Sequence, residues 1–336
     1  MGNLLLKRLY KKKYNIDDIN NLVKNDLIEV QKIIKNNIGD KIPLIDNLAN
    51  HILTAGGKKI RPIVTLLTSK LCNYSGKNHL SLAACVELIH TATLLHDDVI
   101  DESKMRRGIP TANDLFGNKS SVLVGDFLFS KSFELMVANG SKSILKILSK
   151  TSSTLAEGEV MQLTTIKNYL TDDQSYMNII KAKTASLFSA ASEISALLTN
   201  QDNQTQKNLK KYGEYLGTAF QLVDDALDYI GNEKLGKKIG DDFREGKITL
   251  PVIIAISNSD KEEKNFWKRV IELENRNEDD FKRALKIIEK YDGINITMNR
   301  ALEFSECAIK SLNHFPESNF KNALQELPKI AVYRNK

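Results

Sequence analysis

The sequence predicts an all-α fold, a bundle of roughly ten or more helices. Apolar residues recur at spacings of three and four along most of the 336 residues, as they do in helices with one buried face. Alternating apolar and polar residues, which would indicate strands, are nearly absent. The periodic segments are 22–38, 62–72, 80–100, 121–137, 144–163, 176–198, 207–230 and 281–312.

Polar clusters separate these segments, but no linker rich in proline or serine divides the chain. The clusters occupy 73–79, 102–120, 138–143, 167–174, 199–206, 231–248 and 257–265. The prolines fall near expected helix starts or loops, at Pro43, Pro62, Pro110, Pro251, Pro316 and Pro328. We therefore expect one domain over residues 1–336, with a motif-bearing core at about 40–255 and further helices over 256–336.

Composition excludes several classes of protein. An apolar content of 42% is enough for a sizeable core, and the formal charge of +6 comes with lysines spread along the chain, so nucleic acid binding is not indicated. The three cysteines lack metal-binding spacing and suggest a reducing cytoplasm. No apolar run reaches transmembrane length. The basic, partly apolar start at 1–14 predicts a surface helix or a frayed end, with weak attraction to an anionic membrane as the minority alternative.

The first basic motif is GGKKIRP at 56–62, directly before an apolar helical segment. Its two glycines permit a tight backbone, so that Lys58 and Arg61 can converge on one anion. Taken alone, a glycine pair beside basic residues is a weak signal for a binding site.

The first acidic motif, D-D-x-x-D at Asp97, Asp98 and Asp101, interrupts the apolar segment HTATLLHDDVID. Residues four apart share a helix face, so Asp97 and Asp101 point the same way, and His90 lies about two turns earlier on that side. Carboxylates on a buried face repel one another and lose hydration, a cost that a cation would offset. Without Cys or His ligands they suit Mg²⁺ with bound phosphate oxygens. A core histidine is the default reading of His90, but its alignment with this face favours a phosphate contact.

Two basic pairs accompany this motif. Arg106 and Arg107 follow the acidic helix directly and suit bidentate phosphate contacts, although adjacent arginines are common on surfaces. Lys183 and Thr184 lie inside a later helical segment. It is their position along the chain, more than their composition, that favours a role in binding.

The second acidic motif repeats the pattern at Asp224, Asp225 and Asp228, inside GTAFQLVDDALDYI. Gln221 lies on the same helix face and points toward the same cavity. A stretch rich in glycine and lysine follows, and it places Lys237 and Lys247 where a loop could close over a diphosphate.

The repetition of the acidic motif distinguishes a site from an ordinary surface. A single D-D-x-x-D in a chain rich in lysine and asparagine is usually a solvated acidic turn. Two copies, each within an apolar helix, are hard to explain in that way because the carboxylates would be buried. They predict two aspartate-bearing helices that face each other across a Mg²⁺–diphosphate cluster.

Taken together, these motifs resemble the trans-polyprenyl diphosphate synthase family. The resemblance implies an all-α bundle of the isoprenoid synthase type with a central substrate cavity, present as a homodimer in the cytoplasm. Motif order and spacing carry it over about residues 40–255. The matching segments are GGKKIRP at 56–62, ELIHTATLLHDDVIDESKMRRG at 87–108, FGNKSSVLVGDFLFS at 116–130, AEGEVMQL at 156–163, KTASLF at 183–188, and FQLVDDALDYIG through GKITLP at 220–251.

The resemblance also implies a role for each matching residue. The ligands of about three Mg²⁺ ions would be the aspartates of the two motifs, namely Asp97, Asp98, Asp101, Asp224, Asp225 and Asp228. Isopentenyl diphosphate would be bound by Lys58, Arg61, His90 and Arg107. The allylic diphosphate and its pocket would involve Arg106, Lys183, Thr184, Gln221 and Lys237, with Lys247 assisting loop closure. The catalytic set would be Asp97, Asp98, Asp101, Arg106, Lys183, Asp224, Asp225 and Lys237.

The chemistry that this implies needs no protein nucleophile. Metal ions and cationic side chains stabilise a departing diphosphate, which leaves an allylic carbocation in an apolar cavity that excludes water. The double bond of isopentenyl diphosphate attacks this cation, and a proton is then lost. The product is an all-trans polyprenyl diphosphate.

Product length is predicted from the turns before Asp97. Ala92 and Thr93 are small, whereas family members with short products tend to place an aromatic residue there or to lengthen the motif. The sequence therefore predicts a deep cavity and products of roughly C40–C50, for the side chain of a quinone. A blocking residue on another helix would give a shorter geranylgeranyl or farnesyl product instead.

Two other classes remain as alternatives. A terpene cyclase would ionise a similar substrate but generally lacks the second D-D-x-x-D and the GGKKIRP and RRG segments. A non-catalytic partner subunit of a heteromeric synthase tends to lose aspartates that are all present here. The expected partners are isopentenyl and allylic diphosphates and a second copy of the chain, with transient membrane contact for product release.

Overall fold

The computed structural model describes residues 15–39, 42–54, 57–230, 239–272 and 276–333. Over these residues the predicted all-α fold is confirmed, because the strands within them are limited to the two-residue pair Met105–Arg106 (β1) and Ile109–Pro110 (β2). The helix predicted at 1–14 and the predicted site residue Lys237 lie outside the described residues.

The helices follow one another through short loops. The N-terminal half contains α1 (Ile16–Leu22), α2 (Lys24–Ile38), α3 (Pro43–Thr54), α4 (Ile60–Leu71), α5 (Asn78–Ile100), α6 (Ala112–Phe116), α7 (Asn118–Asn139) and α8 (Lys142–Thr165). The middle contains α9 (Asp173–Ile180), a π-helical turn (Lys181–Ala185), α10 (Ser186–Leu198) and α11 (Asn203–Asp228). The C-terminal part contains α12 (Asp241–Glu245), α13 (Leu250–Asn258), α14 (Lys261–Glu272), α15 (Glu278–Lys290), α16 (Gly293–Lys310) and α17 (Asn319–Tyr333).

Local sequence explains where several helices begin. A side-chain oxygen of the residue before the helix accepts a hydrogen bond from an amide of the first turn, which would otherwise lack a partner. These capping residues are Asn15 for α1, Ser141 for α8, Asp172 for α9, Asp202 for α11 and Asn277 for α15.

The structure corrects the predicted boundaries at three places. The segment predicted as one helix at 281–312 is two helices, because Asp292 adopts a left-handed φ of 57° and lets Gly293 approach the carbonyl of Pro251. The polar cluster predicted at 257–265 is mostly helical, since α14 exposes its charged first turn and buries Trp267 below. Pro328 lies inside α17, where a buried helix face outweighs the lost backbone hydrogen bond.

Buried apolar side chains form two clusters that α11 connects. The larger cluster contains the buried faces of α4, α5, α7 and α10, and the smaller one contains those of α13 to α16. The first half of α11 contributes Leu209 and Leu216 to the larger cluster, and its second half contributes Leu222 and Ala226 to the smaller. The second acidic motif therefore lies where both cores meet. Among the described helices, none is long and apolar enough to cross a membrane.

Candidate active site

The first acidic motif lies in the last turn of α5, where Asp98 forms an ion pair with Arg106. Asp98 is buried, and its Oδ1 accepts hydrogen bonds from Nε (2.9 Å) and Nη2 (2.7 Å) of Arg106. This two-pronged contact fixes the plane of the guanidinium. The sequence predicted Asp98 as a metal ligand, and in this structure its partner is Arg106, the arginine that was predicted to contact diphosphate.

A β-hairpin positions Arg106 and Arg107 after α5. β1 pairs with β2, and the two residues between them, Arg107 and Gly108, have φ values of 53° and 81°. Two consecutive positive φ values are typical of the tight turn that matches strand twist. The hairpin holds Arg107 against Gly57, where even a Cβ atom would lie 2.5 Å from Nη1 of Arg107. The GGKKIRP and RRG motifs therefore meet in space.

Asp97 faces a lysine from the middle of the chain. Nζ of Lys183 lies 3.9 Å from Oδ2 of Asp97 and donates to Glu159 (2.7 Å) and Gln162 (2.6 Å) of α8. Burial, with Glu159 and Asp101 as like charges nearby, raises the pKa of Asp97 to about 7 despite Lys183. The sequence missed Glu159 and Gln162 as site residues, although AEGEVMQL was among the matching segments.

Lys183 and Thr184 reach the site because the helix widens locally. They belong to the π-helical turn between α9 and α10, which replaces the uninterrupted helix predicted at 176–198. Such turns add one residue to a helix and are frequent at functional sites. Lys183 then points toward α5, while the hydroxyl of Thr184 donates to Oε1 of Gln221 on α11 at 2.7 Å.

The second acidic motif lies at the end of α11, and its middle residue, Asp225, is held by neutral donors. The buried Asp225 accepts hydrogen bonds from the hydroxyl of Tyr176 and from Nε2 of Gln221 (2.8 Å). Burial, together with the charges of Asp224 and Asp228, raises the pKa of Asp225 to about 7 despite these bonds. Tyr176 was not predicted, because a tyrosine on an apolar helix gives no separate signal.

A segment at 240–247 joins the two acidic helices, and we call it the bridging segment. At one end, the amide of Asp242 donates to Oδ2 of Asp228 on α11 (3.1 Å). At the other end, Nζ of Lys247 donates to Oδ2 of Asp101 (2.8 Å) and lies 2.7 Å from Glu245. The predicted approach of Lys247 to the site is thus a direct contact with the first acidic motif.

Asp242 is a further carboxylate that the motif pattern did not single out. Burial raises its pKa well above the usual value, and Asp228 and Asp225 add to this effect as like charges. Asp242 lies outside both D-D-x-x-D motifs, so only the folding of the bridging segment onto α11 brings it to the site.

The basic residues of the N-terminal motifs form a separate group. Nη1 of Arg61 donates to Nε2 of His90 (3.0 Å), and its guanidinium lies 4.3 Å from the ring centre of Phe188. Burial lowers the pKa of Arg61 to about 10 and that of His90 well below its usual value, so His90 is a neutral acceptor. Lys58 is exposed just before α4. The half-buried Glu87, which the sequence missed, lies near these cations; desolvation raises its pKa, and the charges of Arg61 and Arg107 oppose this effect.

The two residues assigned to product length differ in accessibility. Ala92 is fully buried in the larger core, whereas Thr93 is partly exposed and donates its hydroxyl to the carbonyl of His90 (2.8 Å). Thr93 lies one turn before Asp97 on nearly the same face, and Ala92 lies well away from that face. Their role in product length stays a prediction.

The described residues contain no group of three His, Cys, Asp or Glu side chains that could hold a metal ion as they stand. Several aspartates instead contact Arg106, Lys183 and Lys247. The donor set still fits a hard divalent cation, because it consists of carboxylate oxygens. Burial and mutual repulsion raise the pKa of Asp97 and Asp225, so added positive charge would be favourable near both.

Comparison with known proteins agrees with this geometry. The polyprenyl synthetase family matches residues 42–288. The chain is 41% identical to the octaprenyl diphosphate synthase of Escherichia coli (strain K12), over 96% of this chain and all of that protein.

Solved structures give the same result. A polyprenyl synthase from Caulobacter crescentus CB15, complexed with calcium and isoprenyl diphosphate, matches with a TM-score of 0.92 and 43% identity over 97% of this chain and 99% of that one. A decaprenyl diphosphate synthase from Rhodobacter capsulatus matches with a TM-score of 0.91 and 42% identity over 95% of this chain and 98% of that one.

Proposed function

Because the chain belongs to the polyprenyl synthetase family, we propose that it condenses isopentenyl diphosphate with an allylic diphosphate to make a long all-trans polyprenyl diphosphate. It is thus a prenyltransferase. The observation that carries this proposal is the meeting of two acidic helices through the bridging segment, with Asp101 and Asp228 at its two ends. The octaprenyl and decaprenyl synthases among the similar proteins support a product of C40–C50, which suits a quinone side chain.

The cations around the acidic helices are suited to receive the leaving diphosphate. We propose that the six motif aspartates hold about three Mg²⁺ ions, which supply positive charge to the diphosphate oxygens as the bond to carbon breaks. In this structure Arg106 pairs with Asp98 and Lys183 lies beside Asp97. Both side chains would turn to the same diphosphate when it binds. Lys247, held by Asp101, keeps the bridging segment over the site and shields the allylic cation from water.

The second substrate would bind in the basic group. Arg61, Arg107 and His90 lie together, and Arg61 is held above the ring of Phe188. Diphosphate bound there would place the isopentenyl double bond toward the allylic carbon. We assign no separate general base among the protein side chains for the final proton loss, and the released diphosphate is the nearest strong acceptor.

One assay separates this function from its alternatives. Purified full-length protein is incubated with radiolabelled isopentenyl diphosphate, farnesyl diphosphate and Mg²⁺, and the dephosphorylated products are sized by chromatography. Products of C40–C50 support the proposal, and C15–C20 products would indicate a short-chain synthase. Cyclic hydrocarbons would indicate a cyclase, and no product from the chain alone would indicate a partner subunit.

We also propose that the protein forms a homodimer through α7. This helix exposes Val122, Leu123, Phe133 and Val137 on one face, with Asp126 and Ser130 between them. A second copy offers a face of the same length and polarity, which is how two-fold interfaces are built. Light scattering should give the mass of a dimer for the wild type and a smaller mass for Leu123→Lys with Val137→Lys.

A transient membrane contact would involve the mouth of the site. Exposed apolar residues there are Ile100, Met105, Leu163 and Leu170, the last with 82% of its surface exposed. The amide of Lys167 donates to the carbonyl of Gly246, next to the Lys247–Asp101 pair, and so links the loop after α8 to the end of α5. We propose that the protein is cytoplasmic and that this contact would let the product pass from the site into a bilayer. Vesicle flotation of the wild type and Leu170→Ser tests it.

A further inference from the structure

The bridging segment needs an external support, since its position fixes how the two acidic helices are linked. Besides Asp228 and Asp101, it contacts the C-terminal helices, which carry none of the predicted site residues. The strongest of these contacts is Arg276, which lies just before the cap of α15.

Arg276 joins α14 to the bridging segment through three hydrogen bonds. Its Nε and Nη2 donate to the carbonyls of Val270 (2.6 Å) and Ile271 (2.8 Å), in the last turn of α14. Carbonyls in a last turn have no partner inside their own helix, so Arg276 acts as its C-terminal cap. The remaining nitrogen, Nη1, donates to the carbonyl of Arg244 in the bridging segment (3.2 Å).

The guanidinium of Arg276 also packs against the backbone of the bridging segment at Gly246. A Cβ atom on Gly246 would lie 2.7 Å from Nη2 of Arg276, and Gly246 has a left-handed φ of 75°. On the other side, the guanidinium lies 5.9 Å from the ring centre of Phe243. Gly246 directly precedes Lys247, so Arg276 restrains the backbone from which Lys247 reaches Asp101.

We propose that Arg276 is a positioning residue for the ionisation step. It anchors the bridging segment to α14 so that Asp242 and Lys247 remain on Asp228 and Asp101 at the same time. Lysine cannot replace it, because a single ammonium lacks the fork that reaches three carbonyls. The inference rests on the function proposed above and adds the C-terminal helices to the part of the chain that controls turnover.

The test compares Arg276→Ala and Arg276→Gln with the wild type in the condensation assay. We expect kcat to fall about tenfold to hundredfold, as small misplacements near a reacting group can cause. The KM for isopentenyl diphosphate should stay within about twofold, because Arg61 and His90 do not contact the bridging segment. The Gln variant keeps most of the side-chain packing. If the Ala variant does not fold, the kcat of the Gln variant tests the proposal.

Arg269→Ala is the matched control. Arg269 lies on α14, the helix that Arg276 caps; it pairs with Asp280 (2.6 Å) and packs over Phe266, and these contacts do not involve the bridging segment. Its removal should lower the melting temperature to a similar extent and leave kcat unchanged. An equal loss of kcat in both variants would show that Arg276 matters only for general stability, and would overturn the proposal.

Two further readouts separate positioning from stability. Hydrogen exchange at the amides of Asp242 and Lys247 should speed up in Arg276→Gln and stay slow in Arg269→Ala, since those amides donate to Asp228 and to the carbonyl of Asp242. In addition, Arg276→Gln should cost little more in a Lys247→Ala background. Additive losses, or unchanged exchange, would contradict the proposal. Activity of the wild type and Arg269→Ala tests the proposed function independently of these results.

Discussion

The two acidic helices carry the same motif but neutralise it differently. On α5, Asp97, Asp98 and Asp101 face Lys183, Arg106 and Lys247. On α11, Asp225 is held by the neutral side chains of Tyr176 and Gln221, and Asp228 accepts a backbone amide. The same spacing therefore supports different environments. All three aspartates of α5 meet cations, whereas on α11 Asp224 interacts electrostatically with Arg61 and Arg107, and Asp225 is held by neutral donors.

The difference suggests a division of labour between the two helices. Arg106 and Lys183, two of the three cations around α5, have partly exposed side chains that would turn from carboxylate to diphosphate, so this helix can exchange these partners when substrate binds. The two donors to Asp225 are neutral, Tyr176 being buried and Gln221 half-buried. These hydrogen bonds can therefore persist when substrate binds, and they add no positive charge to offset that of the Asp225 carboxylate. The following predictions test this comparison.

The largest effect should come from removing one metal-binding carboxylate from either helix. We expect Asp97→Ala and Asp224→Ala each to lower kcat by roughly three orders of magnitude, because a metal ion contributes several kcal/mol to stabilising the leaving group. Steady-state assays at saturating Mg²⁺ measure this, with circular dichroism to check the fold. Near-normal turnover of one variant would show that its helix does not bind metal.

The basic residues should separate the two substrates. Arg107→Ala and His90→Ala should raise the KM for isopentenyl diphosphate about ten- to hundredfold, the effect of losing one charged contact of about 1.5–3 kcal/mol. Lys183→Ala should raise the KM for the allylic substrate by a similar factor, because Lys183 lies beside Asp97. If all three variants affected both substrates equally, the division into two binding groups would be wrong.

Stability should distinguish the two motifs without any substrate. Asp98→Asn leaves the guanidinium of Arg106 without its buried carboxylate, and we expect it to lower the free energy of unfolding by about 1.5–3 kcal/mol. Asp225→Asn removes a charge whose hydrogen-bond donors, Tyr176 and Gln221, are both neutral, so its effect should be below about 1 kcal/mol. Urea unfolding in the presence of EDTA measures both, and equal losses would contradict the comparison.

The dependence of stability on pH gives a smaller and more specific test. Burial raises the pKa of Asp225 to about 7, above the unfolded value of about 3.9, so the folded state binds this proton more tightly. The contribution of Asp225 to stability is therefore greatest at low pH and is lost as pH rises toward 7. Between pH 5 and pH 8, metal-free Asp225→Asn should lose less stability than the wild type, and parallel curves would refute this assignment.

Product length should respond only to the first acidic helix. Ala92→Phe and Thr93→Phe should shorten the product while the first condensations survive. The matching stretch of α11 is packed against α10 at Gly217, so we expect no growing chain to pass along it. Thr93 is the more accessible of the two, and Phe at the buried Ala92 should also cost about 1–3 kcal/mol of stability from overpacking. Chromatography of dephosphorylated products from folded variants decides, and an unchanged long product from both would place the limit elsewhere.

Much of the fold could be predicted because helices are local structures. Periodic spacing located α2, α4, α5, α7, α8 and α11 to within a few residues. The break at Asp292 could not be found in this way, since the helices on both sides bury residues in the same core and the apolar pattern continues across it. Pro328 likewise lies in a helix because of packing that its local sequence does not reveal.

The sequence by itself determined the carboxylates, their spacing on a helix face and the basic motifs around them, because these depend on neighbours along the chain. Only the tertiary structure decided which cation meets which aspartate. Lys183 and Lys247 are separated from α5 by several helices along the chain. Asp242 lies outside both acidic motifs, and Arg276 lies outside every motif that the sequence singled out. Their contacts arise from the packing of distant segments, a long-range interaction that no local pattern contains.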